Sequence, residues 1–132
     1  MKMTDNKQEK LYLDRQRLGV FGEEQAAVAY RKLGFDILDA NNHCRFGEMD
    51  LIACRDDLVV FIEVRTRDAK AIISPAETVD NRKQQKLILT AQYYLLQNSE
   101  LKDFNMRFDV VEVFYSGGYD CTINRIENAF SL

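Results

Sequence analysis

The run Leu58-Val59-Val60-Phe61-Ile62-Glu63-Val64 constrains this chain more than any other stretch: six of its seven residues are apolar, and the seventh is a carboxylate. An unbroken series of β-branched and aromatic residues predicts a central strand of a sheet, covered on both faces. A carboxylate in such a strand is costly to desolvate, so Glu63 demands a cation or strong donors. Alternation puts Phe61, Glu63 and Arg65 on one face and Val60, Ile62 and Val64 on the other.

Upstream, Glu48 to Arg55 reads as a second strand, joined at Asp56-Asp57 to a strand over Leu58 to Thr66. A two-residue turn at Asp56-Asp57 pairs Arg55 with Leu58, sets Asp50 opposite Glu63 and sets Glu48 opposite Arg65. A four-residue loop gives the same register, and a three-residue loop shifts it by one. Directly opposed carboxylates lie about 4.5–5.5 Å apart at Cβ and repel unless positive charge stands between them. A divalent metal meets that need, since Mg²⁺ takes carboxylate oxygens. A structural network in which Arg65 neutralises Asp50, Glu48 and Glu63 meets it too.

The rest of the chain supplies the frame. A helix is expected from about Leu18 to Lys32, stopped by Gly34, with Ala26, Ala27, Tyr30 and Leu33 on its apolar face. The same periodicity turns Glu23 inward and leaves Glu24 and Arg31 in water. Phe35 to Ala40 reads as a short strand, Asn41 to Gly47 as a polar loop, and Arg67 to Pro75 as a connection. Glu77 to Gln97 is a long amphipathic helix with Val79, Leu87, Ala91, Tyr94 and Leu95 among its apolar positions. Met106 to Tyr115 and Tyr119 to Ile126 form a last strand pair around Ser116-Gly117-Gly118. Asp109, inside that apolar run, is expected to anchor a basic residue of the long helix. The order is α-β-β-β-α-β-β, an α/β class with a mixed central sheet.

At 132 residues the chain suits one domain, expected over 11–132 after a polar N-terminal tail over 1–10. A net charge of −3 argues against coating nucleic acid by bulk charge, yet it leaves room for a local basic patch such as Arg82 to Lys86. A solvated helix face is the alternative for that patch. Three scattered cysteines, Cys44, Cys54 and Cys121, and a single histidine, His43, argue against a zinc site. With no signal core and no apolar run approaching the ~18 residues of a membrane span, the expected location is the cytoplasm, away from membranes.

Four motifs now stand in order: Gly19-x-x-Gly22-Glu23-x-x-Ala26, Gly47-Glu48-Met49-Asp50-Leu51-Ile52, Phe61-Ile62-Glu63-Val64-Arg65-x-Arg67 and Arg107-Phe108-Asp109-Val110-Val111. Together, over about Leu18 to Val113, they resemble the YraN family of small bacterial proteins. The resemblance implies a restriction-endonuclease-like fold, related in pattern to Holliday-junction resolvases, and a PD-(D/E)xK-type site. Asp50 and Glu63 are then the metal-binding carboxylates, and Glu23 assists the metal (Mg²⁺ or Mn²⁺) or its water. Lys83 matches a recurrent lysine of the family's second helix. The usual Glu-Val-Lys reads Glu63-Val64-Arg65 here, and an arginine can stabilise phosphate charge but cannot act as a base.

The expected activity is metal-dependent hydrolysis of DNA phosphodiester bonds, on branched or single-stranded DNA. Arg65 stabilises charge, and Arg67, Arg82, Lys83 and Lys86 hold flanking phosphates. A homodimer is expected, because junction-resolving relatives of this fold act as dimers. Two other classes compete: a nucleic-acid-binding module without turnover, and a protein-interaction domain.

Overall fold

The computed structural model describes residues 13–69 and 79–132. Helix α1 (Arg15–Lys32) leads into strands β1 (Asp36–Cys44), β2 (Gly47–Arg55) and β3 (Leu58–Asp68). Helix α2 (Asn81–Gln97), a 3-10 turn (Ser99–Leu101) and strands β4 (Asn105–Gly117) and β5 (Asp120–Phe130) complete the chain. The sheet runs β1-β2-β3-β4-β5, with β3 and β4 parallel and every other neighbouring pair antiparallel. The expected order α-β-β-β-α-β-β and the mixed central sheet of a restriction-endonuclease-like fold are both present. The tail expected over 1–10 lies outside the described residues.

One helix covers each face. Phe21, Ala26, Ala27 and Tyr30 of α1 pack on Leu51, Ala53, Val60, Ile62, Val111 and Val113. Leu87, Ala91 and Tyr94 of α2 pack on Ile52, Val59, Phe61, Phe108 and Val110. The central run is buried on both sides, as its composition predicts: Val59, Val60 and Ile62 are fully enclosed. Among the described residues no helix is long and apolar enough to cross a membrane.

Several boundaries differ from expectation, each for a local reason. Helix α1 starts three residues earlier than Leu18, because the Asp14 side chain accepts from the Arg17 N–H at 2.9 Å and caps it. At its other end Gly34 adopts φ 88°, and the Phe35 N–H reaches the Tyr30 carbonyl at 3.1 Å. Leu33 thereby leaves the apolar stripe and is exposed. The loop expected over Asn41 to Gly47 is mostly strand, since His43 pairs with Glu48 and Cys44 with Gly47. An edge strand with polar residues facing water gives no apolar alternation to read. Strand β3 continues through Arg67 to Asp68, held by parallel pairing with β4 as far as Tyr115. Helix α2 begins at Asn81, because Asp80 caps it by accepting from the Lys83 N–H at 2.8 Å; the start expected at Glu77 lies outside the described residues. The turn of the last hairpin is Gly118-Tyr119, one residue later than predicted, with Gly118 at φ 61°.

Asp109 is structural, but its partners are not on α2. The Tyr30 hydroxyl donates to it at 2.6 Å, Arg107 Nε at 2.8 Å and the Asn128 N–H at 3.0 Å. This buried, bonded carboxylate ties α1 to β4, and burial, then its own nearness, pushes the Tyr30 phenol upward.

Candidate active site

Glu63 and Asp50 meet at one end of the sheet, on neighbouring antiparallel strands. The register between β2 and β3 is the one derived from the Asp56-Asp57 turn, from Arg55↔Leu58 to Leu51↔Ile62. Pairing stops there, one step short of Asp50 and Glu63. The Asp50 side chain fills the gap: its Oδ2 accepts from the Val64 N–H at 2.8 Å. On its β1 side Glu48 pairs with His43, whose Nε2 lies 3.4 Å from a Glu48 carboxylate oxygen.

The two carboxyl groups are near enough to act on each other's titration. Burial first, then the charge on Glu63 and more weakly that on Glu23, push Asp50 up to about 7, against the pull of the Val64 N–H. The pair therefore holds a proton near neutral pH where two free carboxylates would hold none. Glu63 itself is almost closed from water, with 11% of its side chain exposed, and Lys83 Nζ lies 3.3 Å from its Oε2.

Both acids line a cavity of about 470 Å³ together with Gly47, Glu48, Val64, Lys83, Lys86 and Leu87. Gly47 lets β2 approach α2 there. It sits at φ 154°, and a Cβ on it would stand 3.3 Å from Thr90 Oγ1. Helix α2 in turn delivers Lys83 from its first turn and Lys86 from its second. The pocket thus sets two ammonium groups against the carboxylates, near the helix N-terminus, where anions are favoured.

Glu23 reaches the same end of the sheet from the α1 side. Its helix can approach because Gly22 is buried against Thr66 of β3. Burial raises its pKa, a hydrogen bond from Asn41 lowers it, and the charges on Glu48 and Glu63 raise it. It lines the adjoining cavity, about 610 Å³, with Arg15, Val64, Thr66 and Arg67 among others. The expected residues are thus grouped unevenly. Asp50, Glu63, Lys83 and Lys86 share one cavity, with Glu23 and Arg67 beside it. Arg65, half-buried on β3, is outside the lining of either cavity, and Arg82 is exposed.

Two contributors were absent from the expected set. Glu48 lines the main cavity, and its signal was its position two residues before Asp50 on one strand face. Asn41, the partner of Glu23, had been assigned to a loop and left no signal of its own.

The donor set suits a hard divalent cation: carboxylate oxygens, held close against their mutual repulsion. Among the described residues no group of three or more His, Cys, Asp or Glu side chains converges to hold a metal ion. Mg²⁺ does not need such a cage, since it commonly binds one or two carboxylates and keeps water and substrate phosphate as its other ligands. Asp50 and Glu63 can serve as that pair, and Glu23 acts on them through its charge.

Comparison with known proteins gives a consistent answer. Residues 22–113 match the model of a family described as Uncharacterised protein family UPF0102. A UPF0102 protein of Desulforamulus reducens is 40% identical over 119 residues, 89% of this chain and 98% of the relative. One from Alkaliphilus oremlandii is 41% identical, over 86% of this chain and 97% of the relative. One from Clostridium acetobutylicum is 38% identical, over 88% and 95% respectively.

Proposed function

The chain belongs to Uncharacterised protein family UPF0102, the YraN family of the sequence resemblance, and from that premise we propose that it is a divalent-cation-dependent nuclease hydrolysing DNA phosphodiester bonds. The supporting observation is that Asp50 and Glu63 line one cavity together with Lys83 and Lys86, with Lys83 Nζ 3.3 Å from Glu63. In the reaction water adds to phosphorus, the phosphorus–ester oxygen bond breaks, and the departing oxygen leaves with a proton.

Asp50 and Glu63 would hold Mg²⁺ or Mn²⁺. When bound, such a cation supplies Lewis acidity toward a phosphate oxygen and a water that ionises near neutral pH. Asp50 must first give up its proton, so loading is favoured above pH of about 7. Lys83 and Lys86 place a phosphate against the acids. Arg65, two residues beyond Glu63 on β3 but outside the cavity lining, would have to turn toward the developing charge to offer its fork of donors. Glu23 keeps the field at the pair negative, and Arg67 receives a neighbouring phosphate. Branched or single-stranded DNA and a homodimer belong to this reading through the family pattern.

A binding module without turnover is the second reading, and the observation favouring it is Arg65, standing where the motif has lysine and outside the cavity lining. Incubating a labelled DNA panel that includes a four-way junction, with Mn²⁺ or with EDTA, separates the two. The nuclease gives Mn²⁺-dependent products that Glu63→Ala abolishes. Binding without products from wild type at high enzyme concentration would leave the module instead.

A further inference from the structure

We propose that Lys83 is a tethered counter-cation: its ammonium occupies Glu63 until a divalent cation displaces it, and it then turns to the substrate phosphate. This rests on the nuclease reading above.

The two ends of the ion pair differ in freedom. Glu63 sits on the central strand with 11% of its side chain exposed, whereas Lys83 is 46% exposed. The carboxylate cannot leave, and the ammonium can. Its root stays fixed, because the Lys83 backbone N–H is held by Asp80 Oδ1 at 2.8 Å. A four-carbon stem then swings from a stationary point, and the cavity that both residues line gives the ammonium somewhere to go. A compact ammonium is also a good phosphate ligand, as a point charge.

Competition follows from charge. Lys83 at 3.3 Å and a divalent cation both seek Glu63, so the lysine lowers cation affinity while keeping two acids from facing each other uncompensated. Arg82, one residue earlier but exposed and outside the cavity, has no such role.

The test is Mn²⁺ calorimetry paired with binding of a short single-stranded oligonucleotide to the Mn²⁺-free and Mn²⁺-loaded protein. Lys83→Met should tighten Mn²⁺ binding by about three- to fivefold, the scale of a partly exposed ion pair. It should also weaken oligonucleotide binding to the loaded protein. Lys83→Arg, which keeps the charge, should stay near wild type for Mn²⁺, and Arg82→Met should leave Mn²⁺ affinity unchanged. If Glu63→Gln abolishes Mn²⁺ binding but Lys83→Met leaves it unchanged or weaker, the counter-cation role is wrong and the cation site stands. If wild type binds no Mn²⁺, the cation site and this inference fail together.

Discussion

Asp50 shares its corner of the sheet with Glu63, and burial, reinforced by that neighbour's charge, raises its proton affinity. Its folded pKa of about 7 lies above the ordinary aspartate value of 3.8, so the folded state binds the extra proton. The stability this contributes is complete below pH of about 3.8 and is lost as pH rises through about 7. Asp50→Asn keeps an acceptor for the Val64 N–H and removes the charge. In EDTA it should stabilise the protein at pH 8 by on the order of 2 kcal/mol, and by little at pH 5. Thermal melts at the two pH values check this, and equal effects at both would contradict it. At this scale Glu63, Asp50 and Glu23 were legible in the chain because strand alternation, hairpin register and helical periodicity are local rules. The Lys83–Glu63 pair was not, because it depends on how α2 lies across β3, which no local pattern encodes. Asn41 escaped for a similar reason, since its strand is an edge whose pairing hides in polar residues.

Helix α1 carries Glu23 to the site only because Gly22 admits β3 so closely. A Cβ at that position would stand 1.8 Å from Thr66 Oγ1 and 3.0 Å from Thr66 Cβ, so the Thr66 side chain would have to turn and the two elements would still be crowded. Gly22→Ala should therefore cost about 1–3 kcal/mol through overpacking. Thr66→Ala in the same background should recover part of the loss, since the Thr66 Cβ remains at 3.0 Å. Urea denaturation midpoints measure both, and an unchanged midpoint in Gly22→Ala would show that the helix is not seated on Thr66. Among the described residues each α-helix and strand was anticipated in kind, and the errors lie at their ends. Caps explain two of these: Asp14 and Asp80 start their helices by side-chain bonds to residues three further on. β3 overran its expected end because pairing with β4, a long-range contact, continued past the last apolar residue.

For the molecule as a whole, a net charge of −3 means that, on the nuclease reading proposed above, DNA would be held locally, at the end of the sheet where Lys83 and Lys86 stand beside the acids. Among the described residues one helix covers each sheet face, and the strands that build the core also bring Asp50 and Glu63 to one end of the sheet. The fold class could be read from the chain because one central strand, one hairpin and two amphipathic helices suffice to define it. The grouping of the site could be read only halfway. Acids on adjacent strands were predicted together, but Arg65 and Arg82, predicted with them, stand outside the cavity. The most direct test of the central claim is an anomalous difference map from crystals soaked in millimolar Mn²⁺ at pH 8. A peak bridging the carboxylates of Asp50 and Glu63 is the predicted result. A map with no peak there, or with Mn²⁺ bound only elsewhere, would contradict it.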